Sequence, residues 1–420
     1  MAFSKNSQYK DQFRVSIKGS IGSFKMDDTT VKEVILGESI LNPSVQTAIT
    51  FNRYLYTPVQ SLDTMKGEKL NLTLSSSLTQ SFGASGLNMT VNNTVYRLDN
   101  RRLISQSPSA VEEFTIHACD ESLLEDAKHL MSKSWKCVTP NEIVNAALDC
   151  VKHQGSREIS QCEPQRDYIA ENIHPFRVIA QQANMALDGD DPSFVHFMTY
   201  ENGGQTKHNF KSLKELINQG SSMTYYYSEG GETDSTSSTT PANPYPIMIT
   251  FPCDFDYLTD LLNGVNKSGQ NINTGTFLNL VNMGMNFLGQ GGGGAVQGIA
   301  GGLNGCFEGG NMKQSWTNKG NSHQDYGCET DVERYLLKRQ ARMALLDRDK
   351  VALRMVTAWN PYMHVGQVIE LKWENKQDGG LVYGSGQYLV TELMHKVQLG
   401  GYSTTTMDCV SKDVLQGVMN

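Results

Sequence analysis

The sequence lacks the features that mark secreted, disulfide-bonded proteins. Charged residues interrupt the N terminus, where a signal peptide would need an unbroken apolar core, so no secretory export is expected. Eight cysteines are present, but they are scattered and include no Cys-x-x-Cys pair. A reduced, cytosolic folding compartment is the simplest interpretation. The interrupting residues are Lys5, Lys10, Asp11, Arg14 and Lys18.

Basic residues are too few for a protein whose main task is holding nucleic acid. Lys and Arg total 36 against 44 Asp and Glu, which gives a formal net charge of −8. Binding to phosphate backbones requires dense cations that displace counterions, so this balance argues against a dedicated nucleic-acid binder. It would suit a surface past which DNA slides without sticking. The length of 420 residues and the mean hydropathy of −0.40 are typical of about three soluble globular domains.

Charge is missing altogether from residues 276–307, although 19% of the whole chain is charged. Gly289, Gly291 and Gly294 in this stretch match the G-x-G-x-x-G pattern of dinucleotide-binding loops. That pattern needs a preceding strand, a following helix and an acidic residue about twenty positions later. The preceding sequence predicts a helix instead of a strand, and Glu308 stands closer to the glycines than the pattern requires of its acidic residue. A dinucleotide-binding enzyme that uses the Gly289–Gly294 loop is therefore kept only as an alternative.

The same segment does not predict a transmembrane helix. Four amides and a run of glycines interrupt what would have to be about twenty apolar residues. The amides fall on one stripe of a predicted helix, at Asn279, Asn282, Asn286 and Gln290. We therefore expect no stable membrane insertion.

Both ends of the chain predict β-structure. Apolar and polar residues alternate around Phe13–Ile17 and Leu70–Leu74, which is typical of strands with one buried face. The C-terminal text alternates in the same way from Leu353 onward. Each end therefore favours a small barrel or sandwich.

The centre of the chain predicts a mixed α/β region. A helix is predicted over residues 120–135, with Leu123, Leu124, Ala127, Leu130 and Met131 on one stripe. Thr139, Pro140 and Glu142 predict a capping box that opens a second helix. Further elements are a helix after His174 and Pro175, the strand FVHFMTYE, a short helix after Ser212, a helix in FDYLTDLLNGV and a helix opened by Thr330 and Glu333.

These patterns give an α+β fold in which two β-domains bracket a central α/β region. The proposed divisions are a β-domain over 1–119, a peripheral α/β domain over 120–227, a Ser/Thr-rich loop over 228–246, a second inserted region over 247–329, and a helix with a C-terminal β-domain over 330–420. The 228–243 text is too rich in Ser, Thr, Gly and Pro to build a core.

The sequence contains only weak candidates for a catalytic or metal-binding site. Asp188, Asp190 and Asp191 faintly resemble a calcium loop, but no Glu stands at the twelfth loop position, so an exposed turn is the better interpretation. An irregular set, His117, Cys119, His129 and Cys137, lacks zinc-ligand spacing. Asp254 and Asp256 precede a predicted helix, whose dipole they would favour. We therefore assign no catalytic, cofactor-binding or metal-binding residue and no cofactor.

The C-terminal sequence contains the most specific motifs of the chain. Residues 359–411 contain Asn360-Pro361, then Val365-Gly366 opening a strand, then YLV with His395 closing the next, then a Thr-rich last strand. Together with RDYIAENIHPFRVIAQQANMAL in the middle, this text resembles the baseplate hub proteins of contractile phage tails. That family also includes the hub part of type VI secretion spikes. The Ser/Thr-rich loop and the Gly-rich segment have no counterpart in the resemblance.

The resemblance implies a homotrimeric ring with two tube-like β-barrels per chain, so that three chains present six modules to a six-fold tail tube. The partners would be the tail tube protein, the central spike protein and the surrounding baseplate proteins, with DNA passing through the lumen unbound. The chain would be a virion protein assembled in the host cytoplasm. Within such a ring, like charges from three copies would repel at the three-fold axis, so the missing charge leads to the hypothesis that residues 276–305 lie towards that axis and contact the spike, the tube or the channel contents. The alternative is a surface loop whose lack of charge is accidental. A cell-surface adhesin is the third class considered.

Overall fold

The computed structural model describes fifteen stretches of the chain. They are residues 12–19, 22–26, 31–54, 67–75, 88–104, 111–153, 155–201, 204–227, 246–252, 339, 342–343, 345–346, 352–374, 380–398 and 403–419.

Strands dominate these residues. In the N-terminal third they are β1 Gln12–Gly19, β2 Gly22–Met26, β3 Val31–Ser39, β4 Gln46–Tyr54, β5 Lys69–Ser75, β6 Asn88–Leu103 and β7 Val111–Cys119. In the centre they are β8 Met131–Val138, β9 Ser156–Ile159, β10 Arg166–Ile173, β11 Phe194–Tyr200, β12 Thr206–Ser212 and β13 Ser221–Tyr227. The remainder are β14 Met248–Thr250, β15 Leu353–Ala358, β16 Val368–Trp373, β17 Gly386–Gln398 and β18 Thr404–Ser411.

Helices are few and short among the described residues. They are α1 Glu121–Lys128, α2 Pro140–Cys150, α3 Pro175–Met185, α4 Leu213–Asn218 and α5 Lys412–Met419. Arg339, Arg342 and Met343 are also helical, and they lie in the helix predicted after Thr330. The described residues thus form a mostly β fold with a few helices, which is compatible with the α+β prediction.

One sheet joins the two ends of the chain. Its strand order is β14-β15-β18-β17-β3-β4-β7-β6-β5-β1-β2, with β16 and β13 attached beside β17. The two halves meet where β17 pairs antiparallel with β3, in a register that runs from Glu392 opposite Ser39 to Gln398 opposite Glu33. Two β regions far apart in sequence are therefore hydrogen-bonded into a single surface.

The pairings of the described residues do not close either end into a barrel. The path starts at β14 and finishes at β2, and no pair among these residues connects the two. Two tube-like barrels therefore stay a proposal, while the β regions at both ends of the chain are present.

The central region packs on this sheet as a separate layer. A three-stranded sheet has the order β11-β12-β9, and a two-stranded ribbon pairs β10 with β8. Helices α2 and α3 pack against the strands around a core that includes Ile143, Leu148, Ile179, Phe194 and Phe210. Strand β13 leaves this region and pairs parallel with β16, so the chain re-enters the long sheet before residue 228.

The helix predicted over residues 120–135 is wrong in its second half. Helix α1 ends at Lys128, His129 adopts an extended conformation with φ −111° and ψ 137°, and β8 begins at Met131. Leu130, which the stripe places on the buried side, is 51% exposed. Pairing of β8 with β10 overrides the local helical pattern, because short-range periodicity carries no information about a strand partner.

The predicted start of α2 is confirmed, but its cap differs from the predicted box. Pro140 is the first helical residue and Thr139 is the N-cap, yet Thr139 makes no side-chain bond to the helix backbone. Its hydroxyl instead donates to the Glu142 carboxylate at 3.3 Å. Helix α4 has the conventional cap, since the Ser212 hydroxyl accepts from the Glu215 amide at 3.0 Å.

Candidate assembly surfaces

A buried carboxylate joins three parts of the fold. Glu38 lies on β3, and its side chain is 1% exposed. It accepts from the Tyr200 amide of β11 at 2.8 Å and from the Val365 amide ahead of β16 at 3.1 Å. The His364 Nδ1 lies 3.4 Å from the same carboxylate. Glu38 therefore fixes the central layer and the C-terminal strands to the N-terminal sheet.

A second buried contact lies beside this joint. The Tyr200 hydroxyl lies 3.2 Å from the Thr47 hydroxyl and accepts a hydrogen bond of 2.8 Å from the side-chain Nδ2 of Asn93. Burial raises the pKa of the Tyr200 phenol, so it stays neutral. Together with Glu38, this cluster specifies one orientation of β11 on the sheet.

The Val365-Gly366 and Asn360-Pro361 motifs have local structural roles. Gly366 has φ +81°, and a Cβ there would lie 2.9 Å from Cζ of Phe197. Asn360 is buried, its amide donates to the Thr405 hydroxyl at 2.9 Å, and its side chain accepts from the Tyr362 amide at 3.1 Å. These residues define the turn that places the Val365 amide within hydrogen-bond distance of the Glu38 carboxylate.

Two arginines anchor the helical residues 339–343 to the central layer. Arg339 donates to Asn184 at 2.7 Å and to the carbonyls of Pro192 and Phe194 at 2.8 and 2.7 Å. Arg342 forms an ion pair with Asp191, and both side chains are buried. A cavity of about 340 Å³ lies beside this ion pair, but its charged residues are of both signs.

One face of the long sheet is polar across five strands. The register places Gln398, Glu33, Thr50, Thr115 and Asp99 in a single row over β17, β3, β4, β7 and β6. The Gln398 amide donates to Glu33 at 3.3 Å, and the hydroxyls of Thr50 and Thr115 are 3.2 Å apart. We call this surface the polar face. The opposite face of the same strands is buried in an apolar core.

Basic groups on the polar face are paired with carboxylates. Lys396 lies 3.2 Å from Glu33, and Arg97 lies 2.7 Å from Asp99. Lys32 and Arg102 both contact Glu113, at 2.7 and 2.5 Å. The bond from Lys32, more than that from Arg102, holds the pKa of Glu113 below its ordinary value. The face is therefore charged but locally neutralised.

The sheet presents apolar residues at one edge. Among the described residues β14 pairs only with β15, which leaves one side of β14 unpaired. Ile247 and Met248, at its start, are 51% and 50% exposed. Edge strands with exposed apolar residues are templates for pairing with another chain. This edge is the first surface at which assembly would be expected.

Burial holds several potentially reactive groups inert. Burial raises the pKa of the Cys119 and Cys162 thiols to about 12, so neither is a nucleophile at neutral pH. His395 is fully buried against Thr405, and burial lowers its pKa to about 3. The described residues contain no group of three or more His, Cys, Asp or Glu side chains placed to hold a metal ion.

The aspartates considered as a calcium loop form a turn, as preferred from the sequence. Asp188 and Asp191 exchange backbone hydrogen bonds of 2.9 and 3.1 Å around Gly189, which has φ +61°. Asp190 is exposed. Asp191, in contrast, is 3% exposed and accepts from the Lys214 amide at 3.1 Å in addition to Arg342. The turn is thus exposed at its tip and buried at its last residue.

The residues weighed as zinc ligands occupy separate local structures. His117 lies 3.0 Å from Asp99 on the polar face, and Cys119 is buried at the end of β7. His129 ends α1, with its Nδ1 2.8 Å from the Glu125 carbonyl. Cys137 is exposed, and its amide donates to Asp167 at 2.8 Å.

Several sequence-derived expectations fall outside the described residues. These are the Gly289–Gly294 loop, the uncharged segment 276–307, Asp254 with Asp256, the helix in FDYLTDLLNGV and the 228–243 loop. The axial placement of 276–305 therefore stays a prediction. No helix among the described residues is long and apolar enough to span a bilayer.

The joint residues were missed by sequence reasoning, although one signal was present. Glu38 follows Val34 and Leu36 at a spacing of two, so it stands at an inward position of β3. Asn93 stands likewise between Val91 and Val95 on β6. A polar residue at an inward position must find buried partners, and that requirement marks it as a structural joint.

The fold is that of known phage tail proteins. The 43 kDa tail protein of prophage MuSo2 from Shewanella oneidensis overlaps with a TM-score of 0.51 at 7% identity, over 96% of this chain and 99% of that chain. The tail protein from Neisseria meningitidis MC58 overlaps with a TM-score of 0.50 at 9% identity, over 97% and 99%. At such identities the overlap shows a shared fold, and it confirms the resemblance to tail proteins at that level.

A type VI secretion system component from E. coli is also a structural neighbour. It overlaps at 7% identity over 97% of this chain and 75% of that chain, with a TM-score of 0.44. That TM-score is too low to support an inference. No protein-family model matches the chain, and no curated protein sequence matches it.

Proposed function

We propose that this chain is a structural protein of a phage tail baseplate, the hub that links a six-fold tail tube to a three-fold central spike. The observation that carries the proposal is the full-length overlap with two tail proteins, which covers 96% and 97% of this chain. The buried thiols of Cys119 and Cys162, the buried His395 and the ion-paired carboxylates of the polar face fit a role in assembly rather than catalysis.

The hub is a homotrimer in which each chain contributes its two terminal β regions as tube-like modules. The continuous sheet supports this arrangement, because the β3–β17 pairing would hold the two modules in a fixed relation within one chain. Ring closure needs contacts between unlike surfaces of neighbouring copies, and sheet edges are natural sites for them. Residues 1–119 and 330–420 would form the modules, and 120–227 would lie at the periphery.

The trimer is tested through the β14 edge. Native mass measurement at micromolar concentration, with and without the spike protein, is expected to give three copies. Met248→Lys places a charge on the unpaired edge, so it is expected to weaken the trimer at least tenfold. Tyr362→Lys is the matched control, because Tyr362 is 41% exposed outside any strand. A wild-type monomer or dimer in both conditions would remove the ring.

Trimer formation and the participation of the β14 edge in the interface are distinguished by the variants. A wild-type trimer that tolerates Met248→Lys as well as Tyr362→Lys would leave the ring standing and remove β14 from its interface.

The polar face would line the passage for DNA. Its cations are already neutralised by carboxylates, so they would release few counterions and hold DNA weakly. Thr50 lies at the middle of the row, and a bulky maleimide adduct on Thr50→Cys is expected to block ejection from reconstituted tails. Ser134→Cys, exposed on β8, is the control, and both are made in a Cys137→Ser background because Cys137 is exposed. Unimpaired ejection by fully labelled Thr50→Cys particles would contradict this placement.

The hub would contact the tail tube protein on one side, the central spike protein on the other and surrounding baseplate proteins at its periphery. It would reside in the virion, after assembly in the host cytoplasm.

A further inference from the structure

Three imidazoles are stacked inside the central layer. His196 on β11 and His208 on β12 are diagonal neighbours across the strand pair, with Nε2 of His196 3.0 Å from Nδ1 of His208. Their ring centroids are 5.1 Å apart. His153, just after α2, meets His208 edge-on with a centroid separation of 4.3 Å. We call these three residues the histidine stack.

The stack lies at the contact between the three-stranded sheet and the helices. Phe176 of α3 packs edge-on against His196 and His208, at centroid distances of 5.5 and 5.6 Å. His208 is fully buried, the His153 side chain is 2% exposed, and His196 is half-buried. The Nε2 atoms of His208 and His153 have no hydrogen-bond partner among the described residues. A buried imidazole without a partner for its nitrogen is poorly prepared to carry charge.

Among the described residues few charged groups face the stack, and only one of these is negative. Asp120, between β7 and α1, has Oδ1 3.6 Å from Nδ1 of His153. Its oxygens already accept from Ser122 and Thr206, at 2.8 Å each. Arg157 on β9 adds positive potential at His208. Asp120 can therefore balance one positive charge, and a second would face both that charge and Arg157.

The electrostatic consequences agree with this geometry. Burial, together with His153, lowers the pKa of His196 to about 3. Burial is also the largest cause that holds the pKa of His208 well below its ordinary value, followed by His196 and His153. A locally opened state, in which the rings reach water, would bind protons near the ordinary histidine pKa of about 6.5. Acid therefore favours opening over the folded arrangement.

We propose that the histidine stack is an acid-sensitive latch, which holds β11 and β12 against α2 and α3 while His196 and His208 are neutral and releases them when both take up protons. The release is local, because the stack lies between these elements and not between the strands of the long sheet. The latch gives the peripheral layer a way to loosen in acid while the sheet that links the chain ends stays paired. This inference does not depend on the proposed role in a tail.

The test is hydrogen exchange of the full chain at pH 7.5 and pH 5.0, corrected for the intrinsic pH dependence of exchange. Two histidines that bind protons only when open should increase local opening at pH 5.0 on the order of 100-fold or more. Peptides from β11, β12 and α3 are expected to show this increase, and peptides from β4 are expected to change less than about threefold. His196→Gln with His208→Gln should reduce the increase to below about threefold.

The matched control is His117→Gln, because His117 lies on the polar face outside the stack. It should retain the full acid response. A wild-type chain whose α3 peptides respond no more than its β4 peptides would overturn the latch. So would a folded double variant that keeps the full response.

If the double variant does not fold, the ring signals of the wild-type chain test the latch. The ring signals of His196 and His208, followed by nuclear magnetic resonance, should stay at neutral positions until the pH at which α3 exchange accelerates. Rings that titrate near pH 6.5 without any change in exchange would overturn the latch.

Discussion

The three-way joint at Glu38 gives the sharpest stability prediction. Glu38→Gln keeps the size of the side chain, but it replaces one carboxylate oxygen with an NH₂ group that cannot accept. Since the two oxygens accept separately from the Tyr200 and Val365 amides, one of these buried donors loses its partner. Hydrogen bonds to charged groups contribute about 1.5–3 kcal/mol, and an unsatisfied buried donor costs about 1–3 kcal/mol. We expect a loss of about 3 kcal/mol in the free energy of unfolding.

Glu33→Gln is the matched control on the same strand. Glu33 lies on the polar face, where it contacts Lys396 and Gln398 and its side chain is 19% exposed, and ion pairs that water reaches contribute about 0–1 kcal/mol. The same substitution five positions away should therefore cost less than about 1 kcal/mol.

Urea unfolding at pH 7.5, followed by circular dichroism, measures both variants against the wild type. Unchanged denaturant slopes would show that the shift in midpoint reflects stability. In addition, amide exchange at Tyr200 and Val365 should accelerate in Glu38→Gln more than in Glu33→Gln. Equal midpoints for the two variants would show that Glu38 is not the joint that the geometry indicates.

Three further predictions concern single residues. Gly366→Ala should lower the free energy of unfolding in urea by about 2–4 kcal/mol, because the new Cβ is strained at φ +81° and contacts Phe197. Gly380→Ala is the control, since a Cβ there meets nothing within 4 Å, and it should change the same free energy by less than about 0.5 kcal/mol. His395 has its folded pKa lowered to about 3, so the unfolded state binds more protons between about pH 6.5 and 3 and stability falls as pH falls through that window. His395→Gln should therefore abolish about 2 kcal/mol of the loss between pH 7.5 and 5.0 in urea titrations, and an unchanged loss would contradict the assignment. Cys137 should react with iodoacetamide in the native chain while Cys119 and Cys162 do not, as mass spectrometry of tryptic peptides will show; rapid labelling of either buried thiol would contradict its burial.

Local sequence patterns predicted the strands better than their partners. The alternation around Phe13–Ile17 and Leu70–Leu74 predicted two strands, and the structure pairs them as β1 and β5, with Val15 opposite Leu72. The same alternation could not reveal that β3 pairs with β17, because period two defines a face and not a neighbour. A window of about ten residues contains no information about a contact between residues that are more than 350 positions apart in the sequence.

Helix ends were predictable where the backbone chemistry is local. Pro140, Pro175 and Ser212 predicted the starts of α2, α3 and α4, since a proline or a capping hydroxyl acts within one turn. The end of α1 was not predictable, because Leu130 and Met131 fit the helical stripe and the strand pattern equally. Helix α5 was also missed, since the strand pattern runs directly into it at Lys412.

Among the described strands, β17 is the C-terminal strand that pairs with the N-terminal β region. β17 pairs with β18 along one side, while its other side pairs first with β16, through Gly386–Leu389, and then with β3, from Glu392 onward. The change of partner coincides with a bulge between Val390 and Glu392. A bulge bends and twists a strand, so the angle between the two halves of the sheet is determined there.

Side-chain and backbone contacts hold that bend from both sides. Thr391, within the bulge, donates to the Asp408 carbonyl at 3.0 Å, and its own carbonyl accepts from the Ile40 amide at 2.9 Å. Ile40 lies two residues beyond Glu38, so the bulge and the three-way joint act on the same end of β3. A ring built from such chains needs that angle to be identical in every copy, because small errors in angle prevent closure. Polar contacts at inward positions specify one geometry where apolar packing alone would tolerate several.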